Sequence, residues 1–235
     1  MKKQTFVLIT LLLVINFNFS QINPNNIEIV RDNYGVPHIY GKTDAEVAYG
    51  LAWSHSEDDF KTIQQGYLAG NGLLSKHIGI KGAGADFLTQ LIESKETVDR
   101  LFNTLGPDFL KVAQAYAQGI NKYAELHPKE ILEKSLFPVT VKKMLRYSFL
   151  QLFISNEAGG LVSSIVSNNV PKPNPIKAEM NGSNTFAFNS IKTGKKETYL
   201  AINTHQPLDG PTSWYEAHLI SEEGTNIIGA TFAGA

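Results

Sequence analysis

Three prolines within five residues, Pro171, Pro173 and Pro175, divide this chain into parts with different hydrophobic periods. Before them, apolar residues recur at helical spacing. After them, they alternate as in strands. The stretch that holds the prolines, 163–182, has no periodicity of its own and reads as a linker or exposed spacer. The chain then enters a strand-like run at once, and Gly182-Ser183 sits at that switch point.

The bulk properties exclude several classes of function. At 235 residues, the chain is one large or two small domains. Its 43% hydrophobic content supports a real core. A net charge of -1 with no basic block argues against nucleic acid, which requires a clustered positive footprint. The absence of cysteine removes disulfides, thiolate metal ligands and a thiol nucleophile.

Residues 1–20 have the layout of a secretory signal. Lys2 and Lys3 precede a run from Phe6 to Ile15 that is apolar except for Thr10. The run falls short of the ~20 residues needed to span a bilayer, so no stable membrane span is expected. Ser20 suits the last signal position, although Asn18 is larger than the small residue preferred there. The expected location is periplasmic or secreted; the competing reading is an N-terminal anchor or a buried helix.

Residues 21–162 read as mostly helical. They open on a strand, a turn at Asn33-Tyr34-Gly35 and a second strand within 27–41. Thr43 and Glu46 form a capping box for a helix whose face carries Val47, Leu51, Phe60, Ile63 and Tyr67. The glycine-rich run 70–87 reads as a loop. Three further helices are predicted. The first carries the stripe Phe87, Leu88, Leu91 and Ile92. The second starts at Pro107 and carries Phe109, Val112, Tyr116, Ile120 and Tyr123. The third follows Thr140 through Met144, Tyr147, Leu150 and Phe153. Residues 183–235 read as two hairpins. Strands over 183–191 and 197–204 flank a turn at 192–196, and a second pair flanks Glu222-Glu223-Gly224.

Taken alone, Gly182-Ser183 is a loop entering a strand. A serine needs an adjacent base to act as a nucleophile. If the Gly182–Ser183 bond were cut, Ser183 would carry a free α-amine, which titrates at about 7.7 to 8.0, beside its own hydroxyl. A conventional serine hydrolase would place the serine in a Gly-x-Ser-x-Gly elbow, which Asn181-Gly182-Ser183-Asn184-Thr185 lacks.

Two blocks carry a resemblance. "IEIVRDNYGVPHIYGKTDAEVAYGLAWSHSEDDF" and "NGSNTFAFNSIKTGKKETYLAINTHQPLDGPTSWYEAHL" occur in this order, separated by a helical segment and a spacer. Together they resemble the penicillin acylase family of N-terminal-nucleophile hydrolases, in its acyl-homoserine lactone, aculeacin and penicillin acylase branch. The resemblance implies an α+β fold, an αββα four-layer sandwich whose core begins with the strands 183–191 and 198–204. It implies self-cleavage between Gly182 and Ser183, giving an α-chain and a β-chain that stay together as a heterodimer. Ser183 would be the nucleophile. His205, in the Asn-Thr-His-Gln-Pro run, would lie close to it, since a hairpin brings the start of one strand to the end of the next.

The expected activity is hydrolysis of a small N-acylated substrate, such as an acyl-homoserine lactone or a penicillin, with no organic cofactor. Met144, Tyr147, Phe149 and Phe153 are the candidates for the α-chain side of the acyl pocket, with Arg146 facing solvent. Glu157 is a candidate ligand for one structural calcium ion. The remaining calcium ligands, one oxyanion donor and the catalytic asparagine and arginine would lie beyond residue 235. The alternative is an exported binding or structural fragment without catalysis. His38 reads as structural. His55, His77, His127 and His218 lack the spacing of a zinc site, and Asp58 and Asp59 read as solvated or helix-capping.

Overall fold

The computed structural model describes residues 21–155, 164, 168–169 and 183–234. Residues 1–20, Gly182 and Glu157 lie outside them, as does nearly all of 163–182, so the signal and spacer expectations fall outside the described residues. The chain opens with β1 (Glu28–Arg31) and β2 (Pro37–Gly41), followed by α1 (Asp44–Gly70), α2 (Leu74–Ile78), α3 (Ala83–Leu91), α4 (Ser94–Leu101), α5 (Pro107–Leu126) and α6 (Val141–Ser155). From residue 183 onward come β3 (Asn184–Phe188), a helical turn α7 (Ser190–Thr193), β4 (Tyr199–Asn203), β5 (Trp214–Ser221) and β6 (Asn226–Phe232). The fold is α+β.

One sheet has the order β1-β2-β5-β6, so residues 21–155 and residues 183–234 supply two strands each. The β1–β2 and β5–β6 pairs are antiparallel, and β2 and β5 run parallel. Asp32 shapes the first turn by accepting from the N–H groups of Tyr34 and Val36. The expected capping box is present: Thr43 Oγ1 accepts from Glu46 N–H at 3.2 Å, and Glu46 Oε2 from Thr43 N–H at 3.0 Å. The same end of α1 is tied to the β5–β6 turn. There Asp44 accepts from the Ser221 hydroxyl at 2.6 Å and donates its N–H to Glu223 at 2.7 Å.

The main core forms where α1 meets α5 and α6, around Phe60, Ile63, Tyr67, Ile120, Leu136 and Tyr147. Gly66 and Gly70, one turn apart on α1, let α6 come close. A Cβ on Gly66 would lie 2.4 Å from Cζ of Tyr147, and one on Gly70 would lie 2.4 Å from its Cα. Asp59 leaves helical geometry (φ -153°, ψ 65°) and kinks α1. Its carboxylate caps the second half by accepting from Thr62 N–H.

Several expectations need correction. The stretch expected to be a loop contains α2 and the start of α3, because Asp86 on α3 accepts from the N–H groups of Leu74 and Ser75 at 2.8 and 2.9 Å and so caps α2 from a distance. On α3 only Leu88 of the expected stripe is buried; Phe87 and Leu91 are about half exposed. The sequence did not reveal α4, which is short and polar. Asp99 moors it to α6 through Lys142 at 2.8 Å and Arg146 at 3.5 Å. The ammonium groups of Lys142 and Lys95 hold the Asp99 carboxylate down at about 2.

The first predicted hairpin has shorter strands than expected. Asn189 caps α7 by accepting from Lys192 N–H, which pulls Ser190 to Thr193 out of the ladder. This hairpin is a separate two-stranded sheet exposed on both faces, not the start of the main sheet. Among the described residues, no helix is long and apolar enough to cross a membrane.

Candidate active site at the open end of the β3–β4 hairpin

The β3–β4 ladder pairs Asn184 with Asn203 and ends with Phe188 against Tyr199. Ser183 immediately precedes β3 and His205 follows β4, so both sit at the open end of the hairpin. Side chains alternate along a strand. By that alternation Asn184, Asn203 and His205 share one face, and Ser183 starts on the other. The observed contact follows this rule: the amide nitrogen of Asn184 lies 3.1 Å from Nε2 of His205. The hairpin therefore brings His205 to the residue after Ser183, and the hydrogen bond recorded for His205 among the described residues is to Asn184 rather than to Ser183. Ser183 and His205 are both exposed.

The four pocket candidates separate. Met144 lines a cleft of about 550 Å³ between α1, α5, α6 and β5, with Leu51, Val112, Leu145 and Leu219. Asp44 also lines it, its carboxyl held below the usual range by the Ser221 hydroxyl. Tyr147 belongs to the core and donates its hydroxyl to the Pro211 carbonyl at 3.1 Å. Phe149 and Phe153 stack edge-to-face at 5.3 Å and do not line this cleft. Arg146 does not face solvent as expected. Its side chain is 17% exposed and reaches Asn71 and Asp99 on the α4 side, where Asp99 supplies the countercharge.

His55 and Asp58 each belong to a side-chain network with partners remote in sequence. His55 is fully buried, its Nδ1 and the Tyr116 hydroxyl share a hydrogen bond of 2.5 Å, and Gly234 N–H donates to that same hydroxyl at 3.0 Å. Burial pushes the His55 imidazole down to about 3, so it is neutral at any pH where the protein would work. Asp58 is part of a network: it pairs with Arg31 at 3.0 Å and accepts from the Tyr215 hydroxyl at 2.5 Å. Neither the His55 nor the Asp58 network could be read from spacing, because the partners lie far apart in sequence. Among the described residues, no three His, Cys, Asp or Glu side chains gather as a metal site.

The family model for penicillin amidase matches residues 26–235, from the first strand through β6. The chain belongs to the penicillin amidase family. Among its relatives, an acyl-homoserine lactone acylase PvdQ from Pseudomonas syringae pv. syringae is 21% identical over 240 residues, covering 88% of this chain and 31% of that protein. Penicillin G acylase of Escherichia coli is 23% identical over 139 residues, covering 57% of this chain and 16% of that protein. The chain thus spans about a third of the length of the acyl-homoserine lactone acylases it matches. A solved thermostable penicillin G acylase from Alcaligenes faecalis superposes with a TM-score of 0.48 at 18% identity, covering 62% of this chain and 85% of that one. Within the penicillin amidase family, the relatives named here are acylases.

Proposed function

We propose that the complete protein is an acylase that hydrolyses an amide N-acylated with an apolar group, and that Ser183 becomes its N-terminal nucleophile once the bond to Gly182 is cut. The observation that carries this reading is the placement of Ser183 at the open end of a hairpin whose other strand leads to His205, inside a penicillin amidase match. The names of the relatives support the substrate class, an acyl-homoserine lactone or a penicillin. In the reaction, Ser183 Oγ attacks the acyl carbonyl while its own α-amine takes the proton through a water. The amine product leaves with that proton, and water then releases the acid from the acyl-enzyme.

The same proposal takes residues 1–20 as an export signal and 163–182 as a spacer. It leaves the two chains together as a heterodimer and assigns Glu157 to a structural calcium ion. The test is N-terminal sequencing of the purified complete protein. A second N-terminus reading Ser-Asn-Thr-Phe is the expected result. A single uncut chain that hydrolyses nothing would favour the non-catalytic alternative.

A further inference from the structure

We infer that Asn184 is a positioning residue that fixes the tautomer of His205, so that His205 serves as a hydrogen-bond donor through Nδ1 and not as a proton acceptor. This inference rests on the proposed N-terminal-serine reaction.

The argument starts from what the atoms can do. The Asn184 amide nitrogen carries hydrogens and no available lone pair, so across its 3.1 Å contact it donates to His205 Nε2. An accepting Nε2 in a neutral imidazole leaves the ring proton on Nδ1. The Nε2 lone pair, which a general base would need, is occupied. The edge of His205 left for chemistry is therefore Nδ1–H, which donates to an oxygen and accepts nothing. The base in the reaction is then the Ser183 α-amine alone, and His205 orients the oxygen atoms around it.

The backbone register places these groups together. Asn184 is bonded directly to Ser183 and is the first residue of β3, where Asn203 pairs with it. His205 follows Asn203 by two residues and so shares its face. The side chain that sets the imidazole is thus held on the same strand as the nucleophile, one residue away. Without that amide donor, either ring nitrogen can carry the proton.

Aspartate at position 184 reverses the logic. A carboxylate only accepts, so it would draw the ring proton to Nε2 and strip Nδ1 while His205 is neutral. It would also favour the imidazolium, in which both nitrogens carry protons. An Asn184→Asp enzyme would then be active only while His205 is charged. Its kcat would fall as pH rises through the titration of that imidazole, a limb absent from the unmutated enzyme, whose Nδ1 carries its proton in both charge states.

The experiment compares the complete protein with Asn184→Asp and Asn184→Ala. Processing is scored first by the second N-terminus, and kcat and KM are then measured against pH on an N-acyl amide, per mole of chain beginning at Ser183. The expected result is a new alkaline limb in Asn184→Asp, deep enough to lose at least about tenfold at its high-pH end. Asn184→Ala should lose about 10- to 100-fold in kcat with little change in KM, the scale of a misplaced catalytic group. An Asn184→Asp profile that superposes on the unmutated one overturns the inference. If Asn184→Asp is not processed, full kcat in Asn184→Ala overturns it instead. An unmutated protein that shows no chain starting at Ser183 overturns the proposed function, a result distinct from either.

Discussion

Nδ1 of His38 and Nδ1 of His218 lie 2.9 Å apart, directly opposite each other across the parallel β2–β5 seam. His218 Nε2 faces the Asn226 side-chain oxygen at 2.9 Å and must donate to it. Its Nδ1 therefore accepts, and His38 Nδ1 donates. Leucine at either position leaves a half-buried ring nitrogen without its partner, at a cost of about 1–3 kcal/mol. Leucine at both removes donor and acceptor together and should cost less than the sum of the single changes. Urea unfolding midpoints of the two single variants and the double variant of the complete protein measure this. Strict additivity would mean that the pair does not join the strands.

His55 predicts an acid-sensitive core. Its folded value of about 3 lies below the ordinary 6.5. Between those values the unfolded chain binds a proton that the folded one refuses, so stability rises with pH in that window and is lost as pH falls through it. The slope is about 1.4 kcal/mol per pH unit at most. His55→Gln keeps a hydrogen-bonding group beside the Tyr116 hydroxyl and removes the titration. Its unfolding midpoint should fall less steeply than that of the unmutated protein between pH 6.5 and 3; parallel curves would refute the assignment.

Gly66 and Gly70 separate two kinds of close approach. Alanine in a helix normally gains about 0.5–1 kcal/mol over glycine. Here the clash decides the sign, and overpacking costs about 1–3 kcal/mol. Gly66→Ala meets the tip of the Tyr147 ring, so Tyr147→Ala in the same chain should relieve it. Gly70→Ala meets the Tyr147 backbone, which no side-chain change moves. Thermal melts of the two double variants should show rescue in the first only.

If the cleft beside Met144 receives the acyl group, kcat/KM should rise with chain length by about fourfold per methylene, from about 0.8 kcal/mol each, until the cleft is full. Met144→Trp should shorten the optimum. The carboxylate of Asp44 in the lining and the diversion of Arg146 to Asp99 disfavour acidic acyl groups. A flat series, or glutaryl preferred over hexanoyl, would place the acyl group elsewhere.

Ser183→Ala tests the nucleophile itself. The hydroxyl proposed to attack substrate is proposed to attack the Gly182 carbonyl first. The variant should run as one full-length chain on a denaturing gel; two chains of normal size would exclude self-cleavage by Ser183.

What could be read in advance was local. Thr43 and Glu46 lie three residues apart, Pro107 begins α5, and the turns at Gly35 and Gly224 are bounded by short strands, so each signal and its partner fall within one window of sequence. What escaped was long-range or competing. Asp86 caps a helix that starts 12 residues earlier. Arg146 finds Asp99 across 47 residues. Asn189 diverts Ser190 to Thr193 into a helical turn, although Ser190 and Ile191 also suited a strand. At the site, Ser183 and His205 came from matching motifs, whereas Asn184 was passed over because only the register of the hairpin shows which residue faces the imidazole.

The parallel pairing of β2 with β5 also has a consequence for synthesis. A ribosome that has released residues up to 155 has delivered α1 to α6 but only two strands of the main sheet. β2 must wait, one edge open, until residues 214–221 emerge. The waiting edge is only five residues long and begins with Pro37, which has no N–H to offer. Short length and a missing donor make it a poor template for a foreign strand. The nascent chain is thereby shielded from mispairing during the interval before its own partner arrives.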